Sequence, residues 1–161
     1  MTGYLQRLLV GLALSALLWL PRGALAHDRD DAGAEFEGVI PGTELLATVE
    51  HGRNEPRSIG SYTLRLYRIV HADWPYDAFV TGLVRERDGA VERLAFPDLD
   101  GDGAPDIVVV IRSAGSGGYL FADAYAGREA GLEPLGAVAW LPATADPIAA
   151  LRDIVTRPDE N

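Results

Sequence analysis

The stretch DIVVVIRSAGSGGYLFADAYA, Asp106 to Ala126, decides the fold. It opens with Ile107 to Ile111, an unbroken β-branched run. Such a run suits a strand covered on both faces. It closes with an alternating segment that places Tyr119, Phe121, Asp123 and Tyr125 on one side. That period of two is the mark of a strand whose faces meet different surroundings. Ser113 to Gly118 joins them, with glycine at 115, 117 and 118. Glycine loses more conformational freedom on folding than other residues, so a loop this rich in it requires a reason.

The segments on either side extend the same pattern. GTELLATVEH and SYTLRLYRIV alternate in part between apolar and polar positions, and HGRNEPRSIG between them has the composition of a loop. AFVTGLVRE and AVERLAF flank Arg87-Asp88-Gly89, and Asp-Gly between two alternating segments predicts a hairpin. LEPLGAVAW supplies the last strand. About seven or eight short strands separated by turn signals predict an all-β fold, an antiparallel β-sandwich. One short C-terminal helix is expected, because Asp146 can cap it, Pro147 suits its first turn and IAALRDIV has helical spacing.

The first 26 residues stand apart. Arg7 precedes an uncharged apolar run, Leu8 to Leu20, and Ala24-Leu25-Ala26 follows. A charged start, an apolar centre and a small-residue cleavage site describe a secretory signal peptide, residues 1–26. The run is shorter than the ~20 residues a spanning helix needs, so no membrane segment is expected after cleavage. Residues 27–35 read as a flexible N-terminus, and 36–161 as a single domain. Cleavage removes two arginines and no acidic residue, so the net charge of −10 becomes more negative. That balance opposes binding to nucleic acid and suits a basic protein partner. The chain contains no cysteine, which excludes disulfides, lipid attachment through a thiol and thiolate metal sites. Export without disulfides points to a bacterial periplasm.

Several constellations have residue types that could carry chemistry. DLDGDGAPD places Asp98, Asp100, Asp102 and Asp106 on one glycine-bearing turn. Calcium takes six to eight oxygens, and closely spaced aspartates can converge on it. Val109 stands where an EF-hand needs its bidentate Glu, so the motif is not an EF-hand. The plainer reading is an Asp/Gly turn capping its own backbone. No cofactor is required by either reading, and calcium is the ion this turn suggests. An exported calcium-binding β-module with an adhesive role is therefore the alternative function. His27, at the new N-terminus, could chelate copper only with help from His51 or His71; exposed histidines are the plainer reading. A Gly-x-Ser-x-Gly nucleophile is absent, because Ala114 precedes Ser116 and Ile111 precedes Ser113 at the required spacing. No enzyme activity is expected. Ser116 and Tyr119 lie three apart on the glycine loop and could enter one cleft together. Spacing alone leaves a passive hairpin loop as the plainer reading.

The segment DLDGDGAPDIVVVIRSAGSGGYLFADAY resembles the core of the periplasmic lysozyme inhibitors of Gram-negative bacteria, in particular those acting on invertebrate-type (i-type) lysozyme. The resemblance implies an antiparallel sandwich and a loop inserted into the lysozyme's substrate cleft. It implies that Ser116 and Tyr119 hydrogen-bond the catalytic carboxylates, with Gly117 and Gly118 shaping the turn. Inhibitors of chicken-type lysozyme carry a lysine-containing motif and often cysteines; this chain has neither residue. The resemblance also allows a homodimer, although no interface stripe in the sequence marks one.

Overall fold

Strand β6, Ile107–Arg112, occupies the position its composition predicts. In the computed structural model, which describes residues 35–128 and 130–157, it is the second strand of a four-stranded antiparallel sheet. That sheet runs β5 (Ala90–Ala95), β6, β7 (Leu120–Arg128) and β8 (Gly131–Leu141). A second four-stranded sheet runs β1 (Phe36–Val39), β2 (Leu45–His51), β3 (Ile59–Arg68) and β4 (Ala78–Asp88). Both sheets are meanders in chain order, with every neighbouring pair antiparallel. The expected sandwich is present, and eight strands form it.

The two faces of β6 enter different cores. Ile107, Val109 and Ile111 pack with Leu64, Leu66 and Tyr62 of β3 and with Val49 of β2. Val108 and Val110 face the other way, with Leu120, Ala122, Ala124 and Leu151. Leu151 belongs to α1, Pro147–Val155, which forms a third layer on the outer face of the β5–β8 sheet. Full burial of such a side chain is worth about 1.5–3 kcal/mol, so β6 anchors both layers at once. The helix begins as its sequence predicts: the Asp146 carboxylate accepts from the Ile148 N–H at 3.0 Å, and Pro147 opens the first turn.

One polar group crosses the inter-sheet core. The Tyr62 hydroxyl donates to Asp123 Oδ2 at 2.6 Å, and the Tyr125 hydroxyl lies 2.9 Å from the Tyr62 oxygen. The single Tyr62 proton is committed to Asp123, so Tyr125 donates to Tyr62. Burial, then the Asp123 charge, pushes the Tyr62 phenol far above its ordinary pKa, so this chain stays hydroxyl to hydroxyl to carboxylate.

The expected hairpin at Arg87-Asp88-Gly89 does not form. β4 pairs only with β3, and β5 pairs only with β6, so this link carries the chain from one sheet to the other. A two-residue hairpin turn of this composition needs positive φ at both residues. Among described residues other than glycine, only Asn54 and Trp140 have positive φ, so Asp88 does not supply it. Gly89 takes φ +118, and its N–H donates to the Ser58 carbonyl at 2.8 Å. A Cβ there would collide with the Arg112 carbonyl oxygen. The Arg87 side chain, 1% exposed, holds the crossing in place. It donates to the carbonyls of Ser61 (2.9 Å), Arg57 (2.8 Å), Pro56 (3.1 Å) and Gly89.

His51 also ties the sheets together, and it is not the exposed histidine its sequence context suggests. Its Nε2 accepts from the Val91 N–H of β5 at 3.0 Å, so the ring proton sits on Nδ1, facing the Glu35 carboxylate. Burial holds its pKa below the usual 6.5, against the pull of Glu35. The signal peptide, residues 1–26, and His27 lie outside the described residues.

Candidate functional site

The glycine loop leaves β6 at Arg112 and returns as β7 at Leu120. The Gly118 N–H donates to the Gly115 carbonyl at 3.0 Å, closing a tight turn with Ser116 and Gly117 at its tip. The Ser113 N–H donates to the Tyr119 carbonyl at 2.8 Å across its base. Two of the three glycines in the turn, Gly117 and Gly118, have separate reasons. Gly118 takes φ +55, a left-handed backbone that glycine adopts at little cost. A Cβ on Gly117 would lie 2.5 Å from the Tyr119 ring. The ring therefore folds back beside Gly117 because that residue has no side chain.

Arg112 braces this turn from below. Its Nη1 donates to the Gly118 carbonyl at 3.0 Å, while Nη2 donates to Glu92 Oε1 of β5 at 3.0 Å and Nε pairs with the other Glu92 oxygen. Hydrogen bonding from Arg112 holds the Glu92 carboxyl below its ordinary pKa. Between the arginine and the two backbone bonds, the loop carries its own framework. Ser116 is exposed, and Tyr119 is 43% exposed.

A third aromatic residue joins Tyr119, one that the sequence did not single out. Trp140 of β8 packs edge-to-face on Tyr119 (centroids 5.9 Å apart) and on Phe121 (5.0 Å). It sits in a bulge: Leu120 pairs with Leu141 and Ala122 with Val138, so two β8 residues oppose Phe121 alone. Trp140 has φ +58 and is 64% exposed. A left-handed backbone costs a bulky residue roughly 1–2 kcal/mol, and bulges re-aim side chains. Here the bulge turns an indole toward the tyrosine of the loop. The segment reads as an ordinary strand end, and nothing in its composition marks the left-handed residue.

At the other end of β6 lies the aspartate turn. Three of its four expected ligands converge: Asp98, Asp100 and Asp106 each offer a carboxylate oxygen within 4.8 Å of the others. Asp102 does not join them. Its Oδ1 accepts from the Ala104 N–H at 2.7 Å, and its Oδ2 accepts from Arg128 at 2.9 Å. Asp98 accepts from the N–H groups of Gly101 (2.7 Å) and Gly103 (3.1 Å), as an Asp/Gly turn capping itself would. Burial lifts the Asp106 carboxyl above its ordinary pKa, and its bond from the Leu99 N–H opposes that rise. Among the described residues this is the one cluster of three or more metal-capable side chains; neither His51 nor His71 takes part in one.

The sandwich thus carries a braced turn that is exposed at its surface. The sequence profile of PliI, described as the periplasmic lysozyme inhibitor of I-type lysozyme, matches residues 38–155. The chain belongs to that family of periplasmic inhibitors. It is similar to the crystal structure of the Aeromonas hydrophila inhibitor PliI-Ah, at 41% identity and TM-score 0.68, over 72% of this chain and 97% of that one. It is likewise similar to Aeromonas hydrophila PliI solved in complex with Meretrix lusoria lysozyme, at 41% identity and TM-score 0.67, over 73% of this chain and 94% of that one. No curated protein sequence matches it.

Proposed function

We propose that this chain inhibits i-type lysozyme by seating the Ser116-Gly117-Gly118-Tyr119 turn in the enzyme's substrate cleft. The observation that carries the proposal is the preformed turn, an exposed hydroxyl and an exposed phenol on a backbone already fixed by Arg112 and by its own bonds. A loop ordered before binding avoids the entropy cost of being ordered by it. The target chemistry fits the two hydroxyls. A glycosidase cleft presents one protonated and one ionised carboxyl, and a hydroxyl donates to the second or accepts from the first. Tyr119 adds an apolar ring, the commonest form of interface anchor, and Trp140 supports it from behind. The inhibitor acts by occupying the cleft and catalyses nothing. Its net charge of −10 favours approach to a basic enzyme.

Lysis of cell walls by an i-type lysozyme, titrated with the mature protein, tests this. The unaltered protein inhibits, and Ser116→Ala with Tyr119→Ala raises the inhibition constant about thirtyfold or more at unchanged melting temperature. An unchanged inhibition constant in a folded double variant would exclude this turn as the contact.

A further inference from the structure

We propose that the turn between β5 and β6 is a calcium site built on Asp98, Asp100 and Asp106, separate from the lysozyme-binding loop and acting on the stability of the fold.

Two independent observations meet there. The first is the convergence of three carboxylates within 4.8 Å. The second concerns the buried member of the trio. The Asp106 side chain is 0% exposed, its Oδ2 accepts from the Leu99 N–H at 2.9 Å, and its Oδ1 has no hydrogen-bond partner. A buried carboxylate oxygen without a partner is costly, and native folds supply one. The nearest protein cation is Arg128, whose Nη1 stands 4.0 Å from Oδ1 while its Nη2 is committed to Asp102. That distance is an ion-pair contact and too long for a hydrogen bond. The turn therefore holds three converging carboxylates and one unsatisfied buried oxygen, with Arg128 shared at its edge and Arg152 donating to the Asp98 main-chain carbonyl at 3.3 Å.

The donor set selects the ion. It consists of oxygen alone, with no histidine or cysteine among its members, which favours a hard divalent cation over the borderline-soft metals. Three converging carboxylates suit calcium, which takes six to eight oxygens, over magnesium, which keeps several waters and binds through one or two carboxylates. Gly101 and Gly103 take φ +79 and +85 with open space around them, so they serve the path of the backbone and crowd nothing. The Asp98 carboxylate is pinned by both of their N–H groups, and Asp100 Oδ1 by the Asp102 N–H at 3.0 Å. Each oxygen keeps a lone pair for a metal while its position is fixed.

The test is thermal unfolding of the mature protein in a few millimolar calcium chloride, in magnesium chloride and in chelator. Calcium is expected to raise the melting temperature by roughly 5 °C over chelator, and magnesium by much less. Asp100→Asn keeps the acceptor for the Asp102 N–H but removes a ligand charge. It is expected to lose at least half of the calcium-dependent rise at little change in chelator. Arg128→Gln removes the competing cation, and its calcium-dependent rise is expected to match or exceed that of the unaltered protein. Equal melting temperatures in calcium and chelator overturn the proposal, as does an equal response to magnesium, or a calcium response that disappears in Arg128→Gln. Lysozyme inhibition is read separately, so failure here leaves the loop assignment standing.

Discussion

The two ends of β6 solve opposite problems with similar residues. Both are short, glycine-bearing loops rich in hydrogen-bonding side chains. In the aspartate turn the side chains bend inward: four aspartates accept backbone N–H groups of their own turn, and Asp106 is fully buried. In the glycine loop Ser116 and Tyr119 stay exposed. Its backbone is fixed by backbone bonds and by Arg112, a residue from outside the turn, which leaves Ser116 and Tyr119 free for a partner. Bracing a loop through its backbone keeps its side chains available; bracing it through its side chains consumes them. The first arrangement suits recognition and the second suits stability.

Three perturbations test that division. Asp106→Ala strips the Leu99 N–H of its buried acceptor, so it is expected to lower stability by about 2 kcal/mol in urea unfolding with chelator present. Inhibition by the folded protein should be unaffected. Weakened inhibition without lost stability would erase the contrast between the ends. Trp140→Gly acts on the recognition end with split signs. Glycine relieves the left-handed strain at φ +58 but removes the support behind Tyr119. Inhibition is expected to weaken about fivefold, a loss of about 1 kcal/mol, with unfolding stability changed by less than about 1 kcal/mol. A large loss of stability would instead make Trp140 a core residue. The smallest effect is a slope with pH from a residue at neither end. The His51 pKa is lowered by folding, so its contribution is fully present above the unfolded value of 6.5 and is lost as pH falls from there toward the folded value. Protonating Nε2 also breaks its bond from Val91. Stability should decline between pH 7.5 and 5.5 in the unaltered protein and in the Ser116/Tyr119 double variant alike. His51→Gln, which has no proton to gain, should flatten that decline.

Much of this was legible in the residues themselves, wherever the cause is local. The burial of β6 follows from its β-branched run, the start of α1 from Asp146 and Pro147, and the glycine loop from Gly117 and Gly118. The unreadable features have causes far away in sequence. Asp88-Gly89 has the composition of a hairpin, yet the chain changes sheets there because Arg87 collects carbonyls from Pro56, Arg57 and Ser61 and because Gly89 lies against Arg112. Asp102 matches its neighbours in spacing but is drawn off by Arg128, which arrives from β7. The left-handed Trp140 depends on a register shift between β7 and β8 that no composition announces.

The sheet change at Gly89 bears on how the chain reaches this fold. Residues 36–88 make one sheet and 90–141 the other, each a run of consecutive strands. Strand partners are therefore near neighbours in sequence, and closing each loop costs little entropy. A sandwich whose sheets exchange strands must find distant partners first. Here each strand pairs only with its neighbours in sequence, Arg87 fixes the link between the sheets, and His51 bonds across them to Val91. Local strand pairing of this kind goes with faster folding among all-β proteins.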